Sequence, residues 1–136
     1  MKRALVPLLV ALGLLAIAAA GWWLKRPPES LTVACVDPVA GCVFSHADQP
    51  ARLRFSVTPV PLQAFELTVD APGARRISAE FQMVGMDMGF NRYPLRPARG
   101  VFSADITLPI CISGRHDWRV FLTIDGERYT FPFRSG

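Results

Sequence analysis

The chain has 136 residues, about one domain's worth, and a formal net charge of +4. Four of its fifteen basic residues, Lys2, Arg3, Lys25 and Arg26, flank one apolar run. Beyond residue 30 eleven Arg are interleaved with ten acids, and no Lys remains. That mixed, near-neutral balance argues against nucleic acid as a partner, because a nucleic-acid face needs a concentrated basic stripe.

The apolar run, ALVPLLVALGLLAIAAAGWWL, extends from Ala4 to Leu24 without a charge. It is long enough to cross a hydrocarbon core of about 30 Å, so residues 1–24 read as a signal anchor or a signal peptide. Ala18, Ala19 and Ala20 would serve as a cleavage site. Trp22 and Trp23 followed by Lys25 and Arg26 form an interfacial belt that favours a retained anchor. The flanking charges are balanced and leave orientation open. Residues 25–30, KRPPES, form a short linker stiffened by two prolines.

From residue 31 to 136 the pattern has period two. Leu53, Phe55 and Val57 alternate with Arg52, Arg54 and Ser56, and Phe65, Leu67 and Val69 follow. Then come Ile77, Ala79, Phe81 and Met83; Phe102, Ala104, Ile106 and Leu108; Trp118, Val120, Leu122 and Ile124; and Tyr129, Phe131 and Phe133. Each set reads as a half-buried strand, and a further strand is expected near 31–36. Asp125-Gly126 is a two-residue hairpin signal. No helical periodicity of useful length follows the linker. The expected fold is all-β: an immunoglobulin-like antiparallel sandwich of about seven strands, with a small barrel as the competing closure.

The segment FQMVGMDMGF, residues 81–90, holds three of the four Met. Met83 continues the inward face of its strand and reads first as core. Gly85 breaks the register, which leaves Met86 and Met88 on one face. Thioethers are poor ligands for Zn, Mg or Ca but suit Cu(I) at low coordination. The other readings are packing over the core and an adaptable contact surface.

Cys35 and Cys42 bracket VDPVAG, where a local disulfide is the favoured reading. Cys111, in LPICISG, is a buried small residue or a donor pooled with Cys35, Cys42 and the methionines in a sulfur site. His46 lies four residues after Cys42 and is the outside candidate as a ligand. His116 reads as a surface residue. Trp118 reads as a core anchor. There is no Gly-rich phosphate loop, GxSxG or HExxH, and no nucleophile–base pair stands out, so the chain is expected not to be an enzyme.

Residues 80–134 resemble the periplasmic YtkA-like and FixH-like domains. The resemblance runs from Met86, Asp87, Met88 and Gly89 through Gly100, Val101 and Phe102 to Leu108 and Pro109. It continues with Ser113, Gly114, Arg115, His116, Asp117 and Trp118 and ends on Asp125 and Gly126. It implies an extracytoplasmic accessory role on the bacterial inner membrane, since FixH-like proteins are associated with copper delivery to terminal oxidases. Met86 and Met88 would be primary ligands and Met83 a further one, with Cys111 or the Cys35/Cys42 pair auxiliary. The partner would be an oxidase or a copper transporter. Two departures stand out. Phe90 and Asn91 replace a His that relatives often carry, and the three Cys are not part of the family pattern. The competing reading is a metal-free interaction module that contacts a membrane protein through the Met-rich loop and residues 90–93.

Overall fold

The computed structural model describes residues 2–26, 29–86, 91–110 and 112–136. It opens with α1 (Lys2–Leu24), whose 21 residues from Ala4 to Leu24 are apolar and none of them buried. At about 1.5 Å per residue this helix is long enough to span a membrane. The Arg26 guanidinium lies 4.5 Å over the Trp22 ring, so the cation after the helix is in contact with its terminal aromatic pair.

Ten strands follow among the described residues: β1 (Leu31–Thr32), β2 (Cys42–His46), β3 (Gln49–Phe55), β4 (Ala64–Asp70), β5 (Ile77–Met83), β6 (Arg92–Pro94), β7 (Arg96–Ala98), β8 (Val101–Thr107), β9 (Asp117–Ile124) and β10 (Glu127–Arg134). They form two five-stranded sheets, ordered β1-β10-β9-β5-β6 and β2-β3-β4-β8-β7. Every pairing is antiparallel except β1 with β10. The inward residues of both sheets bury a shared aromatic interior, as expected of a sandwich. Phe55 meets Phe65 and Phe133 at 5.1 Å between ring centroids, and Phe81 meets Phe133 at 6.1 Å.

The strand count exceeds the expected seven for physical reasons. β6 and β7 are too short to show a period. β2 was hidden because its turn into β3, Ala47-Asp48, has no glycine although both residues are at positive φ. A side chain there costs roughly 1–2 kcal/mol per residue, so the sequence gives no hairpin signal. Asp125-Gly126 joins β9 to β10 as expected. The strand expected over 31–36 is pairwise only at Leu31 and Thr32, because the chain leaves β10 after Val33 N–H bonds to the Thr130 carbonyl at 2.8 Å. Thr130 points outward yet is buried, since its hydroxyl meets Ser30 Oγ at 2.9 Å. Farther along the same edge, Pro132 has no N–H to offer a foreign strand.

The two ends of the sandwich differ. The chain enters beside Tyr129, at the end that carries the 47–48 and 125–126 turns. At the other end lie the loop after β1, the turn after β5 and the segment between β8 and β9. The loop after β1 is closed by a Cys35–Cys42 disulfide with Cα atoms 5.5 Å apart. Asp37 Oδ1 accepts from Val39 N–H at 2.9 Å, and the Pro38 carbonyl accepts from Phe55 N–H at 2.9 Å. The loop is therefore fastened to β3 as well as to itself. Reducing the bridge, or replacing Cys42 with Ser, should lower the stability of the sandwich by about 2 kcal/mol in urea unfolding. Equal stability of the oxidised and reduced forms would show that the backbone bonds alone hold the loop.

Candidate functional site

The segment 81–90 begins as strand. β5 alternates inward and outward without a break, and this carries Met83 into the core at 3% exposure. Directly across the sheet from Met83 is Trp118, which in turn faces Phe133 on β10. The indole stacks on Phe133 with centroids 6.5 Å apart and planes 19° from parallel. Trp118 is thus a core anchor flanked by a thioether and a phenyl ring. Its buried Nε1–H has no acceptor among the described residues.

After Met83 the chain turns. Val84 N–H donates to the Asp117 carbonyl at 3.0 Å, and Met86 N–H returns to the Met83 carbonyl at 3.3 Å. Gly85 has φ 83°, the conformation that the third residue of a type II turn requires. A Cβ there would also sit 3.4 Å from Arg115 Nη1. Arg115 donates from Nη1 to the Val84 carbonyl at 3.5 Å, so the segment before β9 lies against the turn.

This juxtaposition places one hydroxyl near two thioethers. The Ser113 hydroxyl lies 4.0 Å from Met83 Sδ and 3.8 Å from Met86 Sδ. One sulfur is anchored in the core, and the other belongs to a side chain 45% exposed. The unbranched Met86 side chain can adjust while Met83 cannot. Two neutral, polarizable donors at one loop end suit a soft monovalent cation and not a hard divalent one. Among the described residues no group of three or more His, Cys, Asp or Glu could hold a metal ion.

The remaining sequence candidates distribute as follows. Met88 and Cys111 lie outside the described residues. Met88 is two positions along the chain from Met86, and Cys111 two positions from Ser113. Cys35 and Cys42 are bonded to each other and offer no thiolate, so of their two expected roles they take the structural one. Cys35 nevertheless lines a groove of about 520 Å³ together with Val84, Phe55 and Trp118, at the same end as the Met turn. His46 is not with the sulfurs. It is buried at the entry end, with Nδ1 2.8 Å from Tyr129 Oη and 3.1 Å from Glu127 Oε2. Tyr129 donates its one proton to Glu127 at 2.7 Å, which leaves its oxygen to accept from the Nδ1–H tautomer of His46. His116 is exposed, with Nδ1 3.4 Å from Ser135 Oγ.

Sequence reasoning missed two features. Ser113 had been legible only as half of a Ser-Gly turn signal, and nothing in its spacing pairs it with residues thirty positions earlier. The His46–Tyr129–Glu127 cluster joins two sheets and depends on the unsignalled β2. Burial, with the hydrogen bond and charge of Glu127 adding to it, pushes the Tyr129 phenol up to about 12. Asp125, which accepts backbone N–H bonds from Arg76 at 2.8 Å and from Arg75 at 3.1 Å, is held below the usual carboxylate range.

Compared with protein-family models, with curated proteins and with solved structures, the chain matches none.

A raised folded-state value for Tyr129 means that the unfolded chain loses this proton first. The stability it contributes is complete below pH 10 and is lost as pH rises toward about 12. Alkaline absorbance titration should show a tyrosine that ionises late, toward about pH 12. Tyr129→Phe should remove the late step, and its persistence would assign it to Tyr93.

Proposed function

We propose that this chain is a membrane-tethered periplasmic accessory protein. It binds Cu(I) at the Met83–Met86 turn and passes it on, in copper handling or respiratory oxidase assembly, without catalysing a reaction itself. The observation that carries this reading is the pair of thioethers reached by one hydroxyl at the loop end of the sandwich. Cu(I) is the biological ion that neutral sulfur donors at low coordination suit best. Met88 and Cys111 are the additional sulfur donors that the reading calls on, being near neighbours in the chain of Met86 and Ser113.

The surroundings agree with this role. A disulfide between Cys35 and Cys42 suits an oxidising compartment, which supports the periplasmic side of a bacterial inner membrane. The resemblance of residues 80–134 to FixH-like domains points to the same chemistry. Six residues, 25–30, separate the helix from the sandwich, a reach of about 20 Å at full extension. The entry end therefore stays near the bilayer, while the Met turn lies at the opposite end, open to a membrane-protein partner such as an oxidase or a copper transporter.

A second reading has its own observation. Ile110 is 60% exposed, Ile112 is fully exposed, and both flank the turn-facing segment. Exposed aliphatics beside an adaptable Met suit a metal-free contact surface.

The two readings part in an anaerobic Cu(I) competition titration of the full chain in nanodiscs. The wild type should take one Cu(I), and Met86→Leu should weaken binding at least about tenfold, the loss of roughly 1.4 kcal/mol. Zn(II) should not compete. Absence of Cu(I) binding by the wild type would remove the copper reading and leave the contact surface.

A further inference from the structure

The entry end of the sandwich carries a groove of about 510 Å³ lined by Arg75, Arg76, Ser78, Thr123, Asp125 and Gly126. We propose that this groove docks on the bilayer that holds α1, with Arg75 and Arg76 gripping the phosphate of an anionic phospholipid headgroup. The inference rests on α1 being a retained anchor and is independent of copper. Arg75 and Arg76 precede β5, and Asp125-Gly126 joins β9 to β10, so the two turns meet where β5 pairs with β9. Ser78 and Thr123 are cross-strand partners there, both half-buried. Asp125 fixes the arginine backbone. Its Oδ1 accepts from Arg76 N–H at 2.8 Å and from Arg75 N–H at 3.1 Å, and its own N–H donates to the Arg76 carbonyl at 3.0 Å. The carboxylate is thereby engaged by amides and not by guanidinia. Among the described residues neither guanidinium has an ion-pair partner or a hydrogen-bond acceptor, and both side chains are exposed. Two such guanidinia beside two hydroxyls are the donors a phosphate takes, because the guanidinium fork matches its oxygens.

The tether brings this groove to the bilayer. The chain enters at Leu31, which pairs with Tyr129, and a second groove lined by Ser30, Leu31, Gly126 and Arg128 runs from the linker to the same turn. Gly126 lines both grooves, so the arginine groove adjoins the point of attachment. Residues 25–30 reach about 20 Å at full extension and begin with two further cations, Lys25 and Arg26. The acids at this end are mostly engaged. Asp125 lies on the amides, Glu127 lies against Tyr129 and His46, and Asp70 is in register with Arg52. Glu29 and Asp48 are outnumbered by Lys25, Arg26, Arg75 and Arg76. Cations held close to an anionic leaflet are drawn to it, and salt screens the attraction. Docking here would hold the Met-turn end away from the bilayer.

The test places the full chain in nanodiscs of phosphatidylcholine alone or with phosphatidylglycerol, each doped with a gadolinium-chelating lipid. The readout is paramagnetic broadening of backbone amide resonances. In the anionic discs Gly73 and Gly126 should broaden while Val84 and Ser135, at the other end, should not, and in the neutral discs the difference should fade. Arg75→Gln/Arg76→Gln should lower the docked-to-free ratio by roughly twentyfold, about fivefold for each arginine, at unchanged melting temperature. Arg75→Lys/Arg76→Lys, which keeps the charge, should retain most of the docking. Equal broadening in the two kinds of disc, or a Gln variant that docks as wild type does, would overturn the proposal while the tether stands. Loss of docking in millimolar inorganic phosphate at constant ionic strength would make the groove a site for the free ion and overturn the lipid assignment. A chain that fails to stay with the discs would overturn the tether and the docking together.

Discussion

The row Met83–Trp118–Phe133, lying across β5, β9 and β10, is the contact on which the loop end of the sandwich depends. Trp118 is almost wholly buried and stacks on Phe133, and Met83 lies across the sheet from it. Removing so large a ring from a packed interior costs about 3–5 kcal/mol, a sizeable part of a small domain's stability. The row also fixes register. A slip of β5 by one residue would turn Met83, Phe81, Ala79 and Ile77 outward together, so the buried face forbids that slip. With register fixed, the turn that follows Met83 must emerge beside Asp117, and the segment before β9 must meet it there.

A division of labour between the two ends follows from this arrangement. The entry end is closed by polar side chains that satisfy one another: His46, Tyr129 and Glu127 between the sheets, and Asp125 on the amides of Arg75 and Arg76. Ser30 covers Thr130 where the chain arrives. The far end is held by covalent and aromatic contacts instead, and it leaves softer groups at the surface: Met86, Ile110 and Ile112. On the proposed copper role, the exchange site would lie at the end away from the tether, where these exposed groups are polarizable and not charged.

Much of the fold could be read from the residues because burial with period two is a direct consequence of the pleat. Ile77 to Met83 and Trp118 to Ile124 bury the predicted residues without exception. Val57 does not, because β3 ends at Phe55 and Val57 falls in the following loop. The β2–β3 hairpin escaped because Ala47 and Asp48 adopt positive φ without glycine. The site was legible in part. Gly85 marks the turn and the methionines mark the proposed soft-donor chemistry, but Ser113 became visible only when β5 and β9 were paired. His46 followed Cys42 closely in sequence and looked like a co-ligand. Strand geometry separates the two by the length of β2, so sequence proximity misled. The disulfide was legible from the short loop, and its formation withdraws Cys35 and Cys42 from any thiolate role.

The central claim is that the Met83–Met86 turn binds Cu(I) through sulfur. The most direct measurement is X-ray absorption at the copper edge on the full chain loaded with one Cu(I), beside Met86→Leu prepared in the same way. The account predicts a site with at least two sulfur neighbours in the wild type and one fewer in the variant. Copper surrounded only by nitrogen and oxygen, or a spectrum that the variant leaves unchanged, would contradict it.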